Sequence, residues 1–462
     1  MYDIVIIGAG VVGCGIARAL SRYDVRVALI EKEADVSLGA SKANSGIVHG
    51  GYAGKAGTLK GKLCIEGNKL FESLNKELQF GYKKIGGLII GFTENDRHNL
   101  MNQYENGIKI GQTDFRWLNR DEILEVEPTI NPNVLCALYA PSIGITSPYE
   151  MTIALAENAI ENGVELLLEH EVTHIHLEEY YHIETSEGMI ESKWLINAAG
   201  LNAGEINRML GNNELAIHPR RGQYILLGKD QNKLNHVIFQ TPTEKGKGIL
   251  VTPTLHGNLM IGPDAEDLLD DPITETSIVR LEKIVRQAKH SVESFDIRRS
   301  LTTFSGIRAI SSDQDFLIQY VSDFGITVGG IDSPGLTSSP AIAKYVVDLI
   351  KQKYELIEKK DYNPYRKSYF EMDNDTIICQ CEEQGKNRIL SALDGPIRLT
   401  STDAIKRRVR AGMGNCQGLR CQPLVKEIIS DYHHIKKDSV KVRTESYKPT
   451  RVSIKEIRSL KI

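Results

Sequence analysis

The chain has 462 residues, of which 41% are hydrophobic and 25% charged. This composition is that of a globular protein with more than one domain, and it excludes a disordered chain and a fibrous repeat. The formal charge of -4 argues against nucleic acid as a partner. No apolar run reaches the ~18–20 residues of a membrane span, and the start MYDIVIIGAG lacks the basic and cleavage segments of a signal peptide, so we expect a cytoplasmic protein without a direct membrane span.

A glycine-rich turn near the N-terminus predicts a dinucleotide site. A buried strand at residues 3–8 is followed by the turn Gly8, Gly10 and Gly13, by a helical stretch, and by a second strand that ends at Glu31. In such a unit the glycines make the tight turn, admit the pyrophosphate and let the helix pack on the strand, while the acid accepts the ribose hydroxyls. The alternative is a plain turn in a parallel sheet.

Further glycine turns favour FAD over NAD, because an extended cofactor needs contacts from several distant segments. One turn follows the strand WLINAAG at 194–200, and another lies in ITVGGIDSPGL at 326–336, where an apolar strand runs into three glycines. Small residues at such turns let the backbone lie against a cofactor. The strand and turn at 165–172 provide weaker support for the adenine side. The predicted contacts from these segments are Val172, Ala199, Gly200, Gly330, Gly335 and Leu336.

The segment SKANSGIVHGG at 41–51 combines small and polar residues with one histidine. Such a loop can run beside a flat ring, and we predict that Ser41, Asn44 and Ser45 contact the cofactor. His49 is a candidate proton acceptor near neutral pH. A structural histidine with satisfied hydrogen bonds is an equally good interpretation of His49.

Five segments resemble the D-amino-acid-oxidase-type flavoproteins, in the branch of the glycerol-3-phosphate oxidases and dehydrogenases and the L-2-hydroxyglutarate oxidases. They are KANSGIVHGG (42–51), RRGQYILL (220–227), EKGKGILVTPTLHGNLMIGPDAED (244–267), FSGIRAISSDQDFLI (304–318) and GGIDSPGLTSSPAIA (329–343). They occur in order over the first ~350 residues, and they are most similar to the short glycerol-3-phosphate oxidases.

The resemblance implies roles for five side chains. His49 would be the catalytic base beside the flavin, and Arg308 would bind the anionic part of the substrate. Lys247 and Ser333 would line the same pocket, and Arg221 is a further candidate anion ligand. These residue types suit the oxidation of an anionic alcohol, because a base takes the hydroxyl proton and a guanidinium or ammonium group holds the anion.

Four of the seven cysteines form two close pairs near the C-terminus: Cys379 and Cys381, then Cys416 and Cys421. In a reducing compartment such pairs bind metal rather than form disulfides. Zinc and iron–sulfur clusters both accept four thiolates. The spacing and the segment VRAGMGNCQGLRC resemble the bacterioferritin-associated-ferredoxin-like [2Fe-2S] domain, as in anaerobic glycerol-3-phosphate dehydrogenase. The resemblance therefore favours a [2Fe-2S] cluster over zinc.

The C-terminal region is basic, whereas the rest of the chain is acidic. Residues 371–462 carry 18 basic and 12 acidic residues, which leaves the first 370 residues with a net charge of -10. We predict that five basic side chains offset the negative cluster: Lys406, Arg407, Arg408, Arg410 and Arg420. The tail from 441 onwards packs on the acidic flavin body, meets a partner or stays solvated.

The predicted architecture combines α/β and α+β parts. Residues 1–365 form the oxidoreductase, with a doubly wound, Rossmann-like FAD domain (about 1–80, 145–210 and 300–360) and an antiparallel-sheet substrate domain (about 81–144 and 211–299). Residues 375–435 form a small α-rich [2Fe-2S] domain, and 436–462 form a basic tail.

The predicted function is a FAD-dependent dehydrogenase that oxidises sn-glycerol 3-phosphate to dihydroxyacetone phosphate. Electrons would leave through the cluster to an electron-accepting flavoprotein or a membrane-associated redox partner, since an oxidase that uses oxygen needs no cluster. Two alternatives remain within enzymes: a dehydrogenase of L-2-hydroxyglutarate or another 2-hydroxy acid, and one of an amine such as a proline derivative. A third is a redox subunit that is inactive without its partner.

Overall fold

The computed structural model describes residues 1–51, 54–242, 248–269, 273–367, 376–444 and 450–460. In these ranges the strands are β1 (Tyr2–Ile7), β2 (Val27–Ile30), β3 (Ile47–Val48), β4 (Tyr82–Lys84), β5 (Gly87–Gly91), β6 (Arg116–Asn119), β7 (Cys136–Ala140), β8 (Gly144–Thr146), β9 (Glu165–Leu167), β10 (Val172–Leu177), β11 (Tyr181–Thr185), β12 (Gly188–Asn197), β13 (Ile217–Leu227), β14 (Val237–Gln240), β15 (Val251–Pro253), β16 (Leu259–Ile261), β17 (Glu266–Asp267), β18 (Ser300–Ser311), β19 (Leu317–Ser322), β20 (Gly325–Gly329), β21 (Ile377–Cys379) and β22 (Gln384–Gly385).

The α-helices in the same ranges are α1 (Val11–Leu20), α2 (Leu59–Leu78), α3 (Glu94–Lys109), α4 (Arg120–Val126), α5 (Pro148–Glu161), α6 (Ala203–Met209), α7 (Ile278–Ser291), α8 (Gly335–Lys351), α9 (Lys386–Leu393), α10 (Thr402–Val409), α11 (Gln422–His433) and α12 (Ile454–Arg458). None of the helices in the described ranges has the length and apolar character needed to cross a membrane.

The first sheet has a parallel centre in the order β20–β12–β1–β2–β9, with β10, β11 and β19 added antiparallel. Both faces of β1 are buried. Ile4 and Ile6 face the core that includes α1, α5 and α8, whereas Val5 and Ile7 face a second cluster on the other side. A strand buried on both faces is typical of a parallel sheet with layers on both sides. The expected Rossmann-like domain is confirmed.

The second sheet, which we call the roof, runs in the order β17–β13–β16–β15–β14–β5–β7–β6, with β18 on the other edge of β13. Its ladders are antiparallel except for β14 with β5. On one face Ile225 and Leu227 of β13 pack with Leu281 and Ile284 of α7. The other face, which includes Phe239, packs with Ile47 and Ile145 of the first part of the chain.

The roof differs from the predicted division of the chain in one respect. The sequence division begins a stretch of the FAD domain at about residue 300, but β18 pairs with β13 along its length, from Ile217 opposite Ser311 to Leu227 opposite Ser300. The crossover back to the first sheet therefore follows Ser311. The reason is that β13 needs a long antiparallel neighbour, which local sequence patterns do not identify.

The C-terminal part forms a small module from β21, β22, α9, α10 and α11, which we call the cysteine module. Its buried residues Ile389, Ile405 and Ile429 belong to the same hydrophobic core as Ile4 and Ile16 of the first sheet and α1. The module is therefore packed against the flavin domain rather than attached only by a linker.

The basic tail packs on the roof. The amide of Thr276 donates to the carbonyl oxygen of Thr450, and the amide of Val452 donates to the Thr276 hydroxyl. Ile457 of α12 is fully buried in the core formed with α7, and the guanidinium of Arg458 donates to the carbonyl oxygen of Ser300. Of the three interpretations of the tail, residues 450–460 show packing on the rest of the chain, but on the roof and not on the flavin domain.

Candidate functional site

The predicted nucleotide turn has the geometry that a phosphate site requires. Gly8 has a φ of 103°, and a Cβ on Gly13 would lie 1.9 Å from the carbonyl oxygen of Gly8, so only glycine lets α1 start this close to β1. Gly10 is the N-cap of α1 and makes no side-chain capping bond. The N-terminus of α1 therefore points to where the pyrophosphate is expected, although the amide of Val11 already donates to the Ser41 hydroxyl.

Glu31 lies beside this turn with its carboxylate fixed. One oxygen accepts from the amide of Ala9 at 2.8 Å, and the other accepts from the amide of Glu33 at 3.0 Å. Burial raises the pKa of Glu31, and these two amides oppose the rise. Each oxygen keeps a further lone pair, which is what two ribose hydroxyls need.

The predicted adenine-side residues also converge here. Val172 and Ala199 pack against the cluster that contains Ile7 and Ile30, at the ends of β1 and β2. Gly200 has a φ of 58°, and no atom lies within 4 Å of a Cβ built on it. The turn, the carboxylate and this open edge together fit the adenosine diphosphate half of FAD.

The segment that follows the turn is ordered by its own side chains. The Ser41 hydroxyl accepts from the amide of Val11 at 2.9 Å, which joins the segment to the start of α1. Asn44 accepts from the amide of Gly46 and donates to the carbonyl oxygens of Ala40 and Ser41. Asn44 therefore shapes the turn, and Ser45 lies next to it.

His49 follows β3 and is held by two other elements. Its amide donates to the Thr337 hydroxyl of α8 at 2.9 Å, and its carbonyl oxygen accepts from Asn68 of α2 at 2.9 Å. Its ring centroid lies 5.9 Å from that of Phe239 in the roof. His49 is therefore at the boundary between the flavin domain and the roof, where a base beside the flavin is expected.

The glycine turn at Gly329 and Gly330 lies at the same boundary between the flavin domain and the roof. A Cβ on Gly330 would lie 2.6 Å from the Cβ of Ser311, at the end of β18. Ser333 follows the turn, and Gly335 and Leu336 are the first residues of α8, whose Thr337 holds His49. The turn thus contacts the strand of Arg308 at one end and the His49 segment at the other.

Arg308 and Arg221 lie on opposite faces of the roof. Arg308 is paired with Arg220, and Arg221 with Ile307, so the alternation of an antiparallel ladder separates the two arginines. Arg308 donates to the carbonyl oxygen of Asp264 on the face towards the flavin domain.

Arg221 is buried on the α7 side, where Glu266 at 2.8 Å and Glu275 at 3.3 Å engage it. The structure does not bring Arg221 to Arg308, and the predicted anion-binding role has no geometric support. Lys247 lies outside the described residues.

The flavin-domain segment 43–49 crosses beneath the roof. A Cβ on Gly306 would lie 1.9 Å from the carbonyl oxygen of Ala43, which is a contact that only glycine permits. Two residues further along β18 is Arg308. His49 at the other end of the segment meets Phe239. We call this boundary between the two sheets, formed by segment 43–49 and β18, the seam. The predicted base, His49, and the predicted anion ligand, Arg308, both lie along it.

The four C-terminal cysteines form two contacting pairs. The side chain of Cys416 is hydrogen-bonded with that of Cys381, and the side chain of Cys421 with that of Cys379. Burial and the neighbouring Cys379 and Cys416 raise the pKa of Cys421 to about 12. The amide of Arg420 lowers the pKa of Cys416.

The loop around the thiols has room for a cofactor only because glycines line it. A Cβ on Gly414 would lie 2.2 Å from the Cβ of Cys381, and Gly412 and Gly418 have φ of 102° and 87°. In the described residues, no three His, Cys, Asp or Glu side chains are arranged to hold a single metal ion. Two pairs of soft thiolates in a glycine-lined loop fit a two-iron cluster.

Two of the five basic residues predicted to lie beside the cluster contact a carboxylate of the flavin domain instead. Arg407 and Arg408 donate to the buried carboxylate of Asp35 at 2.6 Å and 2.9 Å. Burial by itself raises the pKa of Asp35, but the two guanidinium groups hold that pKa well below its usual range. The prediction that these two arginines offset the cluster charge is therefore wrong, because they fasten the cysteine module to the flavin domain.

The buried ion group is larger than that one carboxylate. Glu157 of α5 accepts from Arg366 at 2.5 Å and lies 3.6 Å from Arg408. Sequence reasoning missed Asp35, Glu157 and Arg366. Their partners are 200 or more residues away, so no local signal could have found them.

Arg410 has the expected position near the thiols. It pairs at 3.0 Å with Glu382, the residue after Cys381, and it also contacts the Tyr149 hydroxyl and the Met413 sulfur. Lys406 lies one turn earlier on α10 and faces a cavity described below. Arg420 is exposed next to Cys421.

Two family models match the chain. Residues 3–349 match the FAD dependent oxidoreductase family, and residues 377–431 match the BFD-like [2Fe-2S] binding domain. The "Glycerol 3-phosphate dehydrogenase" of Caloramator mitchellensis is 46% identical over 93% of this chain and 94% of its own length. The mitochondrial "L-2-hydroxyglutarate dehydrogenase" of Homo sapiens is 26% identical over 77% of this chain and 90% of its own length.

A solved structure shows the same fold with its cofactor. The dithionite-reduced L-alpha-glycerophosphate oxidase from Mycoplasma pneumoniae, with FAD bound, superposes with a TM-score of 0.76 at 31% identity, over 79% of this chain and 98% of that one. The family matches agree with the geometry of the two candidate cofactor sites. The chain belongs to the FAD dependent oxidoreductase family and carries a C-terminal BFD-like [2Fe-2S] binding domain.

Proposed function

We propose that the protein is a glycerol-3-phosphate dehydrogenase that oxidises the secondary hydroxyl of sn-glycerol 3-phosphate and gives dihydroxyacetone phosphate. The observation that carries this proposal is the seam beneath the roof, where the flavin-domain segment 43–49 meets Phe239 through His49 and meets β18 through Ala43, at Gly306, two residues from Arg308. The 46% identity to a glycerol 3-phosphate dehydrogenase over nearly the whole chain supports this choice of substrate. The more distant 2-hydroxy-acid relatives make those acids the second candidate.

Each residue of the seam has a distinct task in this proposal. Arg308 holds the phosphate of the substrate through charge-assisted hydrogen bonds. His49 takes the proton of the C2 hydroxyl as the C2 hydride leaves. FAD, when bound, supplies the acceptor for that hydride and can release the two electrons singly. Arg308 is partly buried, which strengthens its interaction with an anion relative to a fully exposed arginine.

Thr337, Asn68 and Phe239 position the base. The first two hold the backbone of His49 on either side of the peptide, and the ring of Phe239 lies against the imidazole. The imidazole is thereby kept at the seam by elements from α8, α2 and the roof. Ser333, from the turn that leads into α8, completes the pocket in this proposal.

Anaerobic mixing with substrates tests the choice of substrate. We expect sn-glycerol 3-phosphate to bleach the flavin absorbance near ~450 nm at least ten times faster than L-2-hydroxyglutarate, L-lactate or L-proline at equal concentration. The reason is that a dianionic phosphate gains more from Arg308 than a carboxylate does. The enantiomer sn-glycerol 1-phosphate is the matched control. Bleaching by a 2-hydroxy acid alone would replace the first candidate with the second.

The cysteine module carries electrons from the flavin to an external acceptor in this proposal, and Cys421→Ser tests it. We expect the variant to lose the two irons per chain because Cys421 is buried and no other cysteine can replace it. Bleaching by substrate should remain, while turnover with a one-electron acceptor should fall at least tenfold. Cys136→Ser, in another buried cysteine, should keep both irons. Full turnover without iron would rule out the electron-carrying role.

A further inference from the structure

A cavity lies between the flavin domain, the roof, the cysteine module and the tail, and neither His49 nor Arg308 of the seam lines it. Its volume is about 230 Å³. Its walls come from the 42–46 segment, the start of α5, β13, β18 and α10. Arg443 and Arg451 close the side towards the tail. Each of the four parts of the chain therefore contributes to this one space.

The cavity is separated from the predicted substrate residues by the segment that crosses the roof. Phe304, Gly306 and Arg308 share one face of β18, since residues two apart on a strand point the same way. Ala43 meets this face at Gly306. Phe304 and Thr302 line the cavity on one side of the crossing, and Arg308 lies on the other, about 13 Å along the strand from Phe304 at ~3.3 Å per residue.

The cavity is distinct from the predicted cofactor site. Of the predicted flavin contacts only Asn44 and Ser45 line it. His49, Arg308 and Ser333 do not line it. Glu31 and the glycines of the nucleotide turn are also outside its walls.

Positive charge collects at one end of the cavity. Lys406, Arg410, Arg443 and Arg451 line it, and burial together with these three arginines lowers the pKa of Lys406, against the opposing effect of Asp403. Asp403 is itself engaged by Arg407 at 3.1 Å. Asp403 also lines the cavity, and Arg410 is paired with Glu382 at 3.0 Å, so part of this charge is compensated. The lining side chains still carry more positive than negative charge, which favours an anion.

Apolar and aromatic side chains also line the cavity. Phe304, Leu226 and Met260 come from the roof, and Tyr149 and Met413, which both contact Arg410, come from α5 and the cysteine module. Tyr224 stacks on Phe304 at 4.7 Å between ring centroids, which fixes the orientation of the Phe304 ring. Aromatic and apolar side chains next to cationic groups suit a ligand with a planar ring and a phosphate.

We propose that this cavity binds a nucleotide, that is, a phosphate ester that carries a planar ring, with the phosphate against Lys406 and Arg443 and the ring between Phe304 and Met413. The site is separate from the proposed substrate site and does not depend on which alcohol the protein oxidises. A bound nucleotide would touch the flavin domain, the cysteine module and the tail together. It would therefore stabilise their association.

Equilibrium dialysis with the FAD-saturated, cluster-loaded protein tests the proposal. The probes are AMP, ADP and FMN, with adenosine as the ring alone and inorganic phosphate as the anion alone. We expect at least one of the three esters to bind ten times or more tightly than either adenosine or phosphate. Saturating glycerol 3-phosphate should not displace it, because the two sites are separate.

Two variants and a matched control locate the binding. Lys406→Met and Arg443→Met should each weaken the ester about 10–100-fold, because each removes a charge-assisted hydrogen bond. Lys436→Met changes an exposed lysine of the same part of the chain and should leave the affinity unchanged. Three results would overturn the proposal: no ester binding at 1 mM, phosphate binding as tightly as the esters, or equal affinity in all variants.

Discussion

Replacement of His49 by alanine should slow the reduction of bound FAD by glycerol 3-phosphate about 10²–10⁴-fold, with FAD content unchanged. The loss is large because no other residue is proposed to take the hydroxyl proton. FAD should stay bound because its proposed contacts are the nucleotide turn, Glu31 and the glycine turn at Gly330, which His49 does not form. Stopped-flow anaerobic reduction measures the rate, and absorbance after denaturation measures the FAD content.

A second substitution separates a proton acceptor from a structural histidine. His49→Gln fills much of the same space next to Phe239 and keeps hydrogen-bonding groups, but an amide cannot accept the proton at neutral pH. We expect it to be as slow as the alanine variant, and we expect imidazole in the buffer to restore part of the alanine variant's rate. His98→Ala, in an exposed histidine of α3, is the control. A glutamine variant with the native rate would show that His49 has only a packing role.

Asp35→Asn should cost about 3–5 kcal/mol in the association of the cysteine module with the flavin domain. The substitution removes the carboxylate that both Arg407 and Arg408 share and leaves only Asp403 beside the first and Glu157 beside the second, so buried positive charge is left partly uncompensated, which is costly. Urea unfolding followed by cluster absorbance and flavin fluorescence measures the effect. We expect the cluster signal to be lost at a lower urea concentration than the flavin signal.

The pH dependence provides an internal check. The folded pKa of Asp35 lies below its value of about 3.9 in an unfolded chain, so its stabilising contribution is complete above that pH and declines as the pH falls towards the folded pKa. The difference between the native protein and Asp35→Asn should therefore be constant from pH 5 to 7 and shrink only below about pH 4. Glu427→Gln, in the exposed pair with Lys437, should behave like the native protein. Equal stability of Asp35→Asn and the native protein at pH 6 would contradict the prediction.

Features that depend on short-range spacing could be predicted from the sequence. The Gly8, Gly10 and Gly13 turn follows from steric rules that act within a few residues, and the structure shows the close approach that those rules require. The four cysteines could be found as two closely spaced sequence pairs, but the contacts that the structure shows run between those pairs, from Cys416 to Cys381 and from Cys421 to Cys379. The segment at 41–49 could be placed near the flavin only by resemblance to relatives.

Features that depend on register or on distant partners could not be predicted. Arg221 and Arg308 both looked like anion ligands, but one residue of register puts Arg221 on the face towards α7, where Glu266 and Glu275 engage it. Arg407 and Arg408 looked like counter-charges for the cluster because the cluster is close in sequence. Their partner Asp35 is more than 370 residues away, and burial on both sides of the contact decides the pairing.

The packing of residues 450–460 on the roof has a consequence for how electrons could leave the protein. The cysteine module is secured on the flavin side by Asp35 and is followed by a tail anchored through Ile457. A module attached at one end could move between an electron donor and an electron acceptor. A module held at two places keeps a fixed distance to the flavin site. In the proposed function, the electron acceptor would then have to approach the module in this fixed position. The loop between Cys416 and Cys421 is open to solvent there, with Leu419 82% exposed.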